Sequence, residues 1–168
     1  IIHGKGQLVR PDLSYVGDWV NGQKSGQGYQ IITGPNYVEE FRGQFDKDRR
    51  HGQGYWNHTK DGIITEYDGH WFEGTRVGKG VYVINGRKLE GNWNENDATG
   101  RGVCTTDEGV FKGEFRRGFF HGEGTFTYKN GAVYEGDWVR GKRQGYGILT
   151  YESGKVYDGQ WYMDQENG

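Results

Sequence analysis

One pattern governs what this chain can fold into: an aromatic residue, glycine at +2, Trp or Phe at +4, and glycine at +7, +11 and +13. The segment from Tyr134 to Gly147 shows it in full. The pattern returns at Tyr15, Phe41, Tyr67, Leu89, Phe111, Tyr134 and Tyr157, with Trp19, Phe45, Trp71, Trp93, Phe115, Trp138 and Trp161 at +4. His3-Gly4-Lys5-Gly6 is the tail of an earlier copy, and the last copy stops at Gly168, its +11 position. The chain therefore reads as a single array over 1–168. Partial copies at 1–14 and 157–168 flank full copies at 15–40, 41–66, 67–88, 89–110, 111–133 and 134–156.

The period accounts for the composition. Of 168 residues, 32 are glycine, far above the usual share of about 7%, and each falls at a template position or at one further position per full copy. Disordered glycine-rich chains lose their aromatics, whereas here they make up 15%. Collagen needs abundant proline, and there are two prolines. Fixed self-similarity at this period marks a repeat architecture, so the glycines serve structure rather than flexibility.

Alternation of period two runs through each copy and predicts β-strands. Each copy reads as a β-hairpin, its first turn at Gly141-Lys142-Arg143-Gln144-Gly145 and a second turn at Lys129-Asn130-Gly131. The expected fold is all-β, an elongated array of stacked antiparallel hairpins forming a single twisted, curved sheet. About fourteen strands at roughly 4.8 Å would give a rod on the order of 65 Å long. A pairing whose positions sum to 17 would set Trp at +4 against Gly at +13, letting the ring lie across bare backbone. Acids at +1 and +3, such as Asp18, Asp68 and Glu135, would face water on the other side. The longer copies should place their extra residues, Gly34 to Glu40 and Asn57 to Glu66, in edge loops.

The template, Y-x-G-x-W-x-x-G-x-x-x-G-x-G with a period near 23, resembles the MORN repeat over nearly the whole chain. The departures are Asp48, Asn96 and Asp164 for the +7 glycine and Leu89 for one leading aromatic. The resemblance implies the hairpin array and a role as an interaction module. MORN arrays occur in junctophilins, plant phosphatidylinositol phosphate kinases, ciliary radial spoke heads, parasite cytoskeletal scaffolds and a lysine methyltransferase. It implies a non-enzymatic, cytoplasmic scaffold or subunit that binds protein partners in a larger ciliary or cytoskeletal (axonemal) assembly. The alternatives are a peripheral module binding anionic phospholipid at the cytoplasmic face of a membrane, and the regulatory part of an enzyme whose catalytic domain lies elsewhere.

The residues themselves point to no chemistry. Formal charge is -2, from 21 basic and 23 acidic side chains, so no global field draws the chain to nucleic acid. One cysteine, Cys104, allows no internal disulfide or cysteine-cluster zinc site, fits a reducing compartment, and reads as a small buried residue on the ring side. None of the Gly-x-Gly pairs continues to a third glycine or opens a helix, as a dinucleotide site requires. His3, His51 and His121 share position +10 but sit two or three copies apart, too far for one ion. No metal and no cofactor are expected. The chain does not open with Met, as expected of a fragment or processed chain.

Two surfaces stand out as partner-binding candidates. One is a basic edge with an aromatic tip: Phe119 and Phe120, read as a turn-tip pair, with Arg116, Arg117, Arg140, Lys142 and Arg143 around them. The other is an aromatic groove of Tyr67, Trp71, Trp93, Phe111, Phe115, Tyr134 and Trp138, open to a helix or extended peptide. Exposed end strands would also pair with another chain, giving end-to-end self-association.

Overall fold

A computed structural model describes residues 1–167; Gly168, the +11 glycine of the last copy, lies outside the described residues. The chain is all-β and forms two compact units, one from Ile1 to Asn85 and one from Gly86 onward. The first holds β1 (Gly4–Val9), β2 (Leu13–Val20), β3 (Gln23–Thr33), β4 (Tyr37–Asp46), β5 (Arg49–Lys60), β6 (Ile63–Phe72) and β7 (Thr75–Ile84). The second holds β8 (Arg87–Asn94), β9 (Asp97–Thr105), β10 (Gly109–Arg116), β11 (Phe119–Tyr128), β12 (Val133–Val139), β13 (Lys142–Thr150), β14 (Val156–Tyr162) and β15 (Gln165–Glu166). Within each unit every strand pairs antiparallel with the strands before and after it in sequence.

The first turn of each copy sits at +6 and +7, not at +7 to +11 as the glycine spacing suggests. Asn21 and Gly22 have φ of 52° and 80°, and Arg140 and Gly141 have 51° and 81°. Two successive left-handed residues make the two-residue turn whose twist matches that of the flanking strands. Asp48 and Asp164 keep this geometry at +7, and each carboxylate accepts from the backbone N–H of the +9 residue one copy earlier, Lys24 at 2.8 Å and Arg143 at 2.9 Å. The second turn falls where Lys129-Asn130-Gly131 predicts it, with the Asn130 carboxamide accepting from Ala132 N–H at 3.0 Å.

Moving the turn changes the register. Positions 0 to +2 pair to a sum of 15, as in Tyr134 with Leu149 and Gly136 with Gly147. Beyond a bulge they pair to 13, as in Trp138 with Arg143. The expected sum of 17 is therefore corrected, because the +11 glycine sits inside a strand. Its φ of about +60°, seen at Gly26, Gly52 and Gly122, forms the bulge. The +3 acid closes the bulge: Asp18 accepts from Gln27 N–H at 3.0 Å and Asp137 from Tyr146 N–H at 3.3 Å. These acids act on the backbone, whereas the +1 acids Asp68, Glu90, Glu135 and Asp158 are exposed as expected. The Asp18 carboxyl lies below its ordinary value, held down first by the bond from Lys5 and then by Gln27 N–H.

Glycines at +2 and +13 pair with one another across the strands, as Gly17 with Gly28, Gly28 with Gly43, and Gly43 with Gly54. The result is a line of bare backbone in each unit. The ring that lies on it is the one at position 0, not the +4 ring: Tyr134 covers Gly136 and Gly147, and its hydroxyl donates to the Asp137 carbonyl at 3.1 Å. Three of the +4 tryptophans donate indole N–H to the +13 glycine carbonyl of the preceding copy, Trp71 to Gly54 at 3.0 Å, Trp138 to Gly124 at 3.2 Å and Trp161 to Gly147 at 3.0 Å, whereas the buried Trp19 N–H has no partner among the described residues. The two sets of rings meet edge to face at 5.1 to 5.4 Å, running Trp19, Tyr15, Phe45, Phe41, Trp71 in the first unit. The second unit repeats this from Phe115 through Phe111, Trp138 and Tyr134 to Trp161.

Most of the extra residues of the long copies are strand and not edge loops, and only short turns remain at 34–36 and 61–62. Gly34-Pro35-Asn36 forms the turn, and residues from Tyr37 onward lengthen β4, which pairs Tyr37 with Lys60. A tight turn at Asp61 and Gly62, φ 49° and 79°, then joins β5 to β6. Valine, isoleucine and threonine in these insertions suit a pleated surface, which is why they extend the ladder.

Candidate interaction site

On the ring side, position +9 decides what is accessible. Its side chain stands opposite the +4 ring and lies over the rings. Lys24 is 5.3 Å from the Phe45 centroid, Arg50 is 5.1 Å from Phe41 and 5.3 Å from Trp71, and Arg143 is 4.1 Å from Trp161. Arg50 also pairs with Glu39 on this face. Burial pushes its guanidinium below its ordinary value. In the copy that begins at Phe111 the same place belongs to Phe120, stacked on Phe111 at 3.9 Å and edge-on to Phe115 and Trp138.

This closes the predicted aromatic groove. In the first unit Tyr67 and Trp71 are buried; in the second, so are Trp93, Phe111, Phe115, Tyr134 and Trp138, all at 6% exposure or less. Burial pushes the Tyr67 and Tyr134 hydroxyls up to about 12. Their geometry gives these rings a packing role, and the groove is corrected to a sealed layer. Cys104 is fully buried on this side, as expected, and accepts from Arg87 Nε at 3.1 Å.

The basic edge is divided between faces. Phe119 and Phe120 are consecutive strand residues, so their side chains leave on opposite sides. Phe120 is packed among rings, which corrects the reading of an exposed pair, while Phe119 is 56% exposed. Arg143 goes with Phe120 to the ring side, over Tyr134 and Trp161. Lys142 is exposed and pairs with Asp164 Oδ2 at 2.8 Å. Partial burial opposes ionisation of Asp164, but Lys142 and the Arg143 backbone N–H together hold its carboxyl below the ordinary value. Arg116, Arg117 and Arg140 are exposed, the last two at the turns with φ of 52° and 51°.

Three exposed residues that sequence reading missed lie in the same unit as Phe119, on strands or turns further along it. Val139, Tyr162 and Met163 are 43%, 58% and 58% exposed. Val139 and Tyr162 are at +5 and Phe119 at +8, which face away from the rings; Met163 is at the turn. The signal was present in the first copy, where Asn21-Gly22 is the dipeptide of a two-residue turn. Placing the turn there makes +5 and +8 the last outward positions of each hairpin. Further in on this side, Tyr29, Tyr55 and Tyr146 donate to Glu40, Glu66 and Asp158.

Rings laid on glycine, hairpin after hairpin, define a repeat protein. A MORN repeat model matches residues 15–31, 41–56, 67–85, 90–109, 111–133, 134–156 and 157–168, and the chain belongs to that family. The fourth match begins one residue after Leu89, the leading residue that departs from the pattern. Comparison with curated proteins gives no match. MORN arrays are generally non-catalytic repeat scaffolds of protein or lipid interactions, and no described helix is long and apolar enough to cross a membrane.

Proposed function

We propose that this chain is a non-catalytic scaffold or subunit that holds a protein partner within a larger assembly, with a cilium or the cytoskeleton as its setting. One observation carries the reading. The rings that define the repeat are committed to its own packing, buried under the +9 side chains, while Phe119, Val139, Tyr146 and Tyr162 are exposed on the opposite face of the second unit. Large apolar side chains left in water at neighbouring positions mark a docking surface more often than an active site.

The test is affinity capture of the tagged chain from ciliated cells at physiological salt, paired with flotation on phosphatidylcholine vesicles with and without phosphatidylserine. A stoichiometric protein complex that survives gel filtration is the expected result. Salt-sensitive vesicle binding with no protein complex would replace the scaffold with a peripheral membrane module.

A further inference from the structure

We infer that the turn edge of the second unit, on the face away from the rings, is a docking strip for an acidic protein segment that also carries apolar side chains. This rests on the scaffold reading and names the surface and the chemistry of its partner.

The strip is built by register. Arg116 pairs with Phe119 across β10 and β11, and Val139 pairs with Lys142 across β12 and β13. All four are outward positions at the same distance from their turns, so the apolar pair Phe119 and Val139 lies on neighbouring strands with a cation, Arg116 or Lys142, on each flank. Gly141 leaves room beside Phe119, whose ring carbon would stand 3.9 Å from a Cβ placed there. Tyr162 continues the line on β14, and Met163 occupies the next turn. Arg117 and Arg140 add charge at the turns themselves. Among the described residues no ion pair holds Arg116, Arg117 or Arg140; Lys142 alone is engaged, by Asp164.

Charge across this face selects the shape of the occupant. One step inward from the strip lie Glu114, Glu123 and Asp137, and beyond them Glu135 and Asp158. Arg101 and Lys112 also lie on this face, so an anionic bilayer resting on it would meet a mixed field of carboxylates and cations. A narrow segment tracing the edge meets Arg116, Arg117 and Arg140, with Asp164, already paired to Lys142, as the acid at its far end. Its acids would pair with Arg116, Arg117 and Arg140, and its apolar side chains would cover Phe119, Val139 and Tyr162. Such a pairing of charge complementarity with aromatic anchors supplies both specificity and affinity.

The probe is a library of random short peptides displayed on phage and selected on the immobilised whole chain. Enriched peptides are expected to combine Asp or Glu with aromatic or aliphatic residues. They should bind the R116E/R140E and F119S variants at least about tenfold more weakly, with near-UV circular dichroism and Tm showing both variants folded. Enrichment without acids, no enrichment, or equal binding to folded variants overturns the strip. So does binding of phosphatidylserine vesicles that the same substitutions abolish, since the occupant would then be a membrane. If the partner captured from cells stays bound to these variants, the scaffold stands and the strip falls; if no partner is captured, the scaffold reading itself is lost.

Discussion

A methyl group added at Gly136 would stand 2.5 Å from the Gly147 Cα, 2.6 Å from the Tyr146 carbonyl oxygen and 2.7 Å from the Tyr134 hydroxyl. Two of those three are backbone of the facing strand, which cannot turn aside. Overpacking of this kind costs about 1–3 kcal/mol. At Gly91 the leading residue is Leu89 instead of a ring, and the nearest atom is 3.6 Å away, an ordinary contact. Gly136→Ala is thus expected to lower Tm by roughly 2–4 °C per kcal/mol lost, whereas Gly91→Ala leaves it nearly unchanged. Differential scanning calorimetry on the pair decides it, and equal losses would refute the account of rings lying on bare glycine.

Hairpins depend on the +9 side chain as much as on the rings it covers. Phe120 stacks on Phe111 where other copies place Arg50 or Arg143 over theirs. Truncation to alanine opens a gap against three rings and should cost about 3 kcal/mol. Phe120→Arg should recover most of that loss, since a guanidinium lies flat on an aromatic face with its stem packed below it. Urea midpoints of the two variants test this; if arginine is no better than alanine, the cover is not interchangeable. The hairpins themselves were legible in the sequence, because period-two alternation and Asn130-Gly131 fix strands and a turn directly. Their register was not. Gly141 and Gly145 are both turn formers by composition, and only the backbone shows that the second is a bulge inside a strand, closed by Asp137. That two-residue error moved Phe120 from the ring layer to a turn tip, and hid Val139 and Tyr162 from the candidate site. The basic residues around Phe119 were visible because their charge breaks the repeat, whatever the register.

At the level of the molecule, the glycine line and the ring sequence look the same from one copy to the next, so one copy presents to its neighbours what another would. Removing residues 111–133 joins Val110 to Tyr134 in the same register and strand direction. The shortened chain is expected to keep its near-UV circular dichroism and cooperative melt, with a modestly lower Tm, as repeat arrays do. Removing 111–122 alone takes out one strand instead of two and reverses the direction of every later strand, which should abolish the melt. Loss of the fold in both deletions would show that the copies are not equivalent. The same locality governs response to load. The leading tyrosines are each held by a carbonyl of their own hairpin, as Tyr134 is by that of Asp137, and turns are tied by the +7 N–H to a carbonyl one copy back, as Gly141 is to Phe120. A pull along either unit would therefore meet a row of nearly equal catches, each releasing one hairpin and leaving the next engaged, so that the chain gives way in steps of constant length and behaves as a ratcheted spring.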